Sequence, residues 1–253
     1  SINNQRNSNV MKMKKSIEVK TQTVGRNRRN FLKVSGLAIA GSGLLLASCS
    51  DDDDNGNMLG GGDFDLGSGD VGVLNYAYAL EQLEAAFYTN VVNGSYYAGA
   101  SVEEKAILLA LYNHEVNHRE WFKAAINANV PDADARLTAD LEFDFSSVNF
   151  DNRDSVLGTA KVLEDTGVSA YNGAGQYIQT PLYLTLAGKI VSVEARHAAA
   201  IRSLISGSAD FTAFAGDDII DSNGLDLAAS PEEVLSAAGG FFVTPFTYKN
   251  PKA

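Results

Sequence analysis

Thiols, imidazoles and indoles are scarce in this chain. Among 253 residues there are one Cys, one Trp and three His, with five Pro. A lone Cys excludes an intramolecular disulfide, a thiolate zinc site and a Cys-ligated iron–sulfur cluster. Positive charge is also short. Twenty Lys+Arg face 31 Asp+Glu, for a net charge of −11, and an acidic chain is a poor non-specific binder of nucleic acid. Apolar residues are not short. At 45% they exclude disorder throughout and suffice for one domain with a real core.

The charge is unevenly placed. Residues 1–48 hold nine basic residues and one acid, Glu18. The remainder carries 11 basic and 30 acidic residues, a balance of −19. The basic stretch runs into an apolar one from Val34 to Ala47, which is short for a membrane span. A charged segment followed by a short apolar one is the physical form of a secretory signal. The start is expected at Met11 or Met13, with residues 1–10 upstream of it.

Asn27-Arg28-Arg29-Asn30-Phe31-Leu32-Lys33 resembles the twin-arginine export motif, and Leu46-Ala47-Ser48-Cys49 resembles a bacterial lipobox. The resemblance implies cleavage before Cys49 and lipid attachment to its sulfur. The alternative is an uncleaved anchor helix with a structural Cys. Residues 1–48 are thus expected to be an export signal, and 49–70 a flexible acidic, Gly-rich tether. The run Ser50-Asp51-Asp52-Asp53-Asp54 resembles the surface-export signal of Bacteroidetes lipoproteins; a plain solvated charge run is the other reading. The expected location is outside the cytoplasm, lipid-anchored in the periplasm or on the outer-membrane surface. The membrane is the expected partner, with a small-molecule oxidant and a second copy of the chain also open.

From residue 71 the pattern is helical. Leu74, Ala77, Tyr78, Glu81, Ala85 and Tyr88 recur at helical spacing over 71–92, and Gly94 marks the end. Ser101-Val102-Glu103-Glu104 reads as a capping box opening a helix to about 127. Residues 128–153 are irregular and long enough to cross a bundle. A third helix spans 154–178. A fourth, opened by Thr180-Pro181, runs to 205 with Leu184, Ala187, Ile190, Glu194, His197, Ile201 and Leu204 aligned. The tail from 207 to 253 carries one short helix signal at Ser230-Pro231-Glu232-Glu233, then Phe241, Phe242 and Phe246, expected to cap the bundle. The expected fold is all-α: an antiparallel four-helix bundle over 71–206, with a long crossover between the second and third helices.

The core faces carry acids. Glu115 sits between Leu111 and Phe122, and Glu194 between Ile190 and Ile201. An unpaired buried carboxylate costs several kcal/mol, and basic residues on these faces are scarce, so metal ions are the strongest candidates to compensate. Glu115 and His118 form a Glu-x-x-His pair, and so do Glu194 and His197. A three-residue step sets both side chains on one side of a helix. An internal repeat aligns Leu80, Glu81 and Tyr88 with Leu163, Glu164 and Tyr171. Each half is then a helix with one Glu followed by a helix with Glu-x-x-His. The candidate ligands are Glu81, Glu115, His118, Glu164, Glu194 and His197. Four carboxylates would balance two divalent cations. Glu84 competes with Glu81 but is off the repeat, so it reads as a second layer or a surface residue. His114 is turned about 100° from Glu115 and reads as supporting or structural. Tyr88 and Tyr171 read as core residues, or as donors to a bridging carboxylate. A metal-free cluster satisfied by hydrogen bonds is the alternative for the whole set.

This pattern resembles the ferritin-like superfamily of di-iron and di-manganese carboxylate proteins. The segments Val162 to Ala174 and Val193-Glu194-Ala195-Arg196-His197 resemble its bacterial desiccation-related branch, over about 71–240. The resemblance implies a bundle with a dinuclear centre. Nitrogen and oxygen ligands without thiolate suit iron or manganese, and accept zinc. Rubrerythrin-like peroxidases carry a further Cys-ligated iron that this chain lacks. Disproportionation of peroxide needs no outside donor, so manganese-catalase-like chemistry is the expected activity, with ferroxidase-like chemistry beside it. The other readings are a metal-sequestering protein and a structural desiccation-related lipoprotein without catalysis.

Overall fold

The computed structural model describes residues 64–248. The export signal, Cys49 and most of the tether lie outside the described residues. Among those described, the elements are β1 (Phe64–Asp65), α1 (Gly69–Asn93), α2 (Ser95–Gly99), α3 (Val102–Asn129), α4 (Arg153–Ala174), α5 (Pro181–Ser206), α6 (Pro231–Ala238) and β2 (Phe246–Thr247). The fold is an all-α bundle of four long helices.

Its topology follows from which residues share a core. One apolar cluster gathers Val73 to Leu80 of α1, Phe122 and Ile126 of α3, Ala170 to Ala174 of α4 and Ile190 of α5. The other gathers Leu83 to Val91 of α1, Leu108 and Leu111 of α3, Val156 to Leu163 of α4 and Ile201 of α5. Thus α1 and α5 run one way, and α3 and α4 the other. The crossover after α3 must travel back the length of the bundle before α4 begins. Between the two clusters, on all four helices, lie Glu81, Glu115, Glu164 and Glu194, each fully buried.

Helix α1 is buried on nearly every side, with 18 of its 25 residues enclosed, so it is the central rod rather than a surface helix. Its polar side chains hold the crossover. Asn75 donates to Leu66 O and Ala135 O and accepts from the Leu137 N–H. Gln82 accepts from the Leu141 N–H at 2.8 Å. A buried amide is stable only when its donors and acceptors are used, and these two bind backbone that would otherwise be unpaired.

Several local expectations are corrected. Ser101 accepts from the Glu104 N–H, but Glu104 turns away to Arg153, 2.7 Å distant. The reciprocal box is therefore absent there and complete at Ser230 and Glu233. Thr180 makes no side-chain cap. Asp70 of α1 instead holds the turn just ahead of the helix, accepting from the N–H groups of Gln179 and Thr180. Helix α4 ends at Ala174 and tightens into a 3-10 turn over Gly175–Tyr177. Leu184 is 49% exposed rather than core. Residues 64–70, assigned to the tether from composition, are packed. Leu66 is buried, and β1 pairs in parallel with β2 from the tail. The tail also covers the bundle through Phe241 against Phe145 and Phe242 against Phe143.

Candidate metal centre

The carboxylate layer is assembled from four helices, one turn at a time. Glu115, His118 and Glu194 converge with Glu81, and Glu115, Glu194 and His197 converge with Glu164. In each group one ligand atom per residue lies within 4.8 Å of the others. Glu115 and Glu194 belong to both groups, so they stand between them. Both imidazoles present Nδ1. His118 Nδ1 is 2.9 Å from Glu194 Oε1 and 3.3 Å from Glu81 Oε2. His197 Nδ1 is 2.8 Å from Glu115 Oε1 and 3.4 Å from Glu164 Oε2.

These short contacts are mostly not hydrogen bonds. Nine buried side-chain polar atoms lack a hydrogen-bond partner among the described residues, and six belong here: Glu81 Oε2, both Glu115 oxygens, His118 Nδ1, Glu164 Oε2 and Glu194 Oε1. Native interiors rarely leave such atoms unpaired. Lone pairs that approach to about 3 Å without aiming at one another match neighbouring ligands around one cation, whose bonds are about 2.0–2.2 Å. The donor set and the orphaned atoms therefore fit divalent metal ions.

The remaining atoms of the layer are held. The Tyr88 hydroxyl donates to Glu164 Oε1 at 2.5 Å. The Tyr171 hydroxyl donates to Glu81 Oε1. Each carboxylate keeps one oxygen committed and one free. His197 Nε2 lies 2.8 Å from His114 Nδ1, with the rings stacked at 5.1 Å. When His197 Nδ1 holds a cation, its proton must sit on Nε2 and donate to His114. His114 is outside both ligand groups and half in solvent.

Glu84 is in neither group, yet it is only 3% exposed, which removes the surface reading. Its room comes from Gly167, where a Cβ would lie 2.9 Å from Glu84 Oε1. Gly167 is the position that corresponds to Glu84 in the internal repeat. Burial, then the charges of Glu115, Glu194 and Glu164, push the Glu84 carboxyl well above the ordinary range. A fifth buried carboxylate breaks the four-to-four balance with two divalent ions, and a proton on Glu84 restores it. Sequence reading missed this pairing because a glycine in a helix carries no sign of what it makes room for.

Without metal, protons must compensate. Burial and the Glu194 charge raise Glu115 to about 8. His118 and His197 are held protonated above the imidazole range against the cost of burial, chiefly by Glu81 and Glu164 respectively. Burial also opposes the Glu194 charge, but the protonated imidazoles of His118 and His197 beside it hold its carboxyl below the ordinary value.

A ferritin-like domain model matches residues 69–207, more than half of the chain. The chain belongs to the ferritin-like domain family. That match covers the four long helices and every candidate ligand of the ferritin-like centre. No curated protein matches the chain. Sequence reading also missed Arg202, buried on α5 and bound by Asp165 of α4 and Asp218 of the tail. Its position on a core face signals a partner, but nothing nearby in sequence names one.

Proposed function

We propose that this ferritin-like protein holds two divalent ions, iron or manganese, and carries out peroxide or dioxygen redox chemistry outside the cytoplasm, in protection against stress or desiccation. The observation that carries the reading is the set of six unpaired ligand atoms in a layer that two apolar clusters enclose. Glu81 and His118 would hold one ion, Glu164 and His197 the other, and Glu115 and Glu194 both. Bound iron or manganese supplies one-electron redox changes that no side chain here offers.

The chain's own residues set the conditions. Tyr88 and Tyr171 fix the orientation of Glu164 and Glu81. Leu80, Leu83, Leu163 and Phe122 keep bulk water from the layer, which strengthens every charge interaction within it. Glu84 holds a proton beside the carboxylates. The export and lipid-anchor readings rest on the motifs ending at Cys49. Among the described residues no helix is long and apolar enough to cross a membrane.

The test is oxygen release from peroxide by protein loaded with manganese or iron. Release that is lost in Glu115→Ala and His197→Ala supports the reading. No release and no peroxide consumption by a fully loaded protein removes the peroxide activity, and no dioxygen uptake by the ferrous-loaded protein removes the rest of the enzymatic part. Binding of many ions per chain would favour sequestration instead.

A further inference from the structure

The two halves of the centre are alike where the ligands meet. His118 Nδ1 is 2.9 Å from Glu194 Oε1, and His197 Nδ1 is 2.8 Å from Glu115 Oε1. Behind the imidazoles they differ. His197 Nε2 lies 2.8 Å from His114 Nδ1, and the His197 side chain is only 3% exposed. The His118 side chain is 14% exposed. Among the described residues its polar partners are carboxylates, all met at Nδ1, and none meets Nε2.

The internal repeat shows where the difference comes from. His114-Glu115-Val116-Asn117-His118 of α3 aligns with Val193-Glu194-Ala195-Arg196-His197 of α5. The ligands coincide, but His114 corresponds to Val193. A valine side chain has no atom that accepts a hydrogen bond. His114 therefore supports one imidazole of the pair and has no counterpart for the other.

An imidazole that donates its far N–H to a fixed acceptor is held in one tautomer and one orientation, and it is the more basic ligand for that bond. His197 is held so, with its ring only 17° from parallel to that of His114. The far nitrogen of His118 faces solvent instead, so the ion itself must order that ring. We infer that His114 is a positioning residue that makes the two metal positions unequal. The position of Glu164 and His197 fills first. The position of Glu81 and His118 fills second and exchanges its ion with solvent. Glu115 and Glu194 serve both positions and so do not set the order. The inference rests on the two-ion reading above and deepens it.

The test is NMR of the histidine ring nitrogens in the full chain as zinc is added to metal-free protein. With three His the signals are few. At one zinc per chain the His197 Nδ1 signal is expected to respond about tenfold more than that of His118. At two per chain both respond fully. His114→Phe keeps a ring but removes the acceptor. It should level the two responses and weaken binding of the first zinc about 10–100-fold. His114→Gln keeps an oxygen acceptor and should keep the order. In wild type, His118 responding first, or both responding together, overturns the inference. So does an order that survives His114→Phe, or one that His114→Gln loses. The wild-type order decides alone if a variant fails to fold. Excess zinc that moves neither imidazole sinks the metal centre itself, while two imidazoles that respond without order sink only the role of His114.

Discussion

Tyr88 of α1 donates its hydroxyl to Glu164 of α4 at 2.5 Å. The relationship is returned, because Tyr171 of α4 donates to Glu81 of α1. Each helix of the pair thus fixes the carboxylate of the other. Tyr88→Phe leaves Glu164 Oε1 buried without a donor, at a cost of about 1–3 kcal/mol. Metal affinity should fall about 10–100-fold, the usual loss when a partner of a ligand is removed. Urea unfolding of the metal-free variant reads the first effect and a metal titration the second. A variant that matches wild type in both would show that the tyrosines merely fill space.

Removing metal should loosen the protein. A ligand that binds only the folded chain stabilises it by about 2.7 kcal/mol when its concentration is 100 times Kd. The melting temperature should therefore drop in excess chelator and recover on adding manganese or ferrous ion. Equal melting with and without chelator would speak for a structural lipoprotein that binds no ion.

The metal-free protein should lose stability as pH rises. Glu115 is raised to about 8 from an ordinary 4.5, so between those values the folded chain keeps a proton that the unfolded chain has released. Stability falls wherever the folded state binds more protons. Glu84 and Glu164, raised by burial, act in the same direction. His118 and His197, also raised, contribute fully below the imidazole range and less above it. Glu194 runs the other way, and its contribution is lost as pH falls below the carboxylate range. Metal affinity should climb with pH, because ions displace these protons. Denaturant melts from pH 5 to 9, with and without metal, check both slopes.

Two glycines of α4 should respond differently to Ala. At Gly173 a Cβ would meet Ala229 O at 1.8 Å, and the backbone there is tied down by the Ala229 N–H to Ser169 O bond. Overpacking of this kind costs about 1–3 kcal/mol or more, so Gly173→Ala should strip the tail from α4 and lower the melting temperature clearly. At Gly167 the new methyl meets only the tip of Glu84, which can swing. Gly167→Ala should fold nearly as well as wild type and change metal binding instead. Thermal melts and metal titrations of the two variants separate them.

The bundle was legible because its periodicity is carried by many residues at once. Leu74 to Tyr88, Leu108 to Ala125 and Ile190 to Leu204 each repeat the core face over several turns, and the two Glu-x-x-His pairs mark where oil gives way to charge. The convergence of those pairs with Glu81 and Glu164 follows from two halves that repeat. What stayed hidden depends on partners distant in sequence. Asp70 holds the turn before a helix more than a hundred residues on, Glu104 prefers Arg153 to its own cap, and Glu84 fits only because Gly167 has no side chain. Leu184 misled because the first turn of α5 keeps the period without the burial.

The central claim is that Glu81, Glu115, His118, Glu164, Glu194 and His197 bind a pair of cations. Elemental analysis of the purified native protein, alongside Glu115→Ala, tests it most directly. The account predicts two transition-metal ions per chain in the native protein and a clear loss in the variant. A native protein that carries none, and gains none on dialysis against manganese, ferrous or zinc ions, would contradict it.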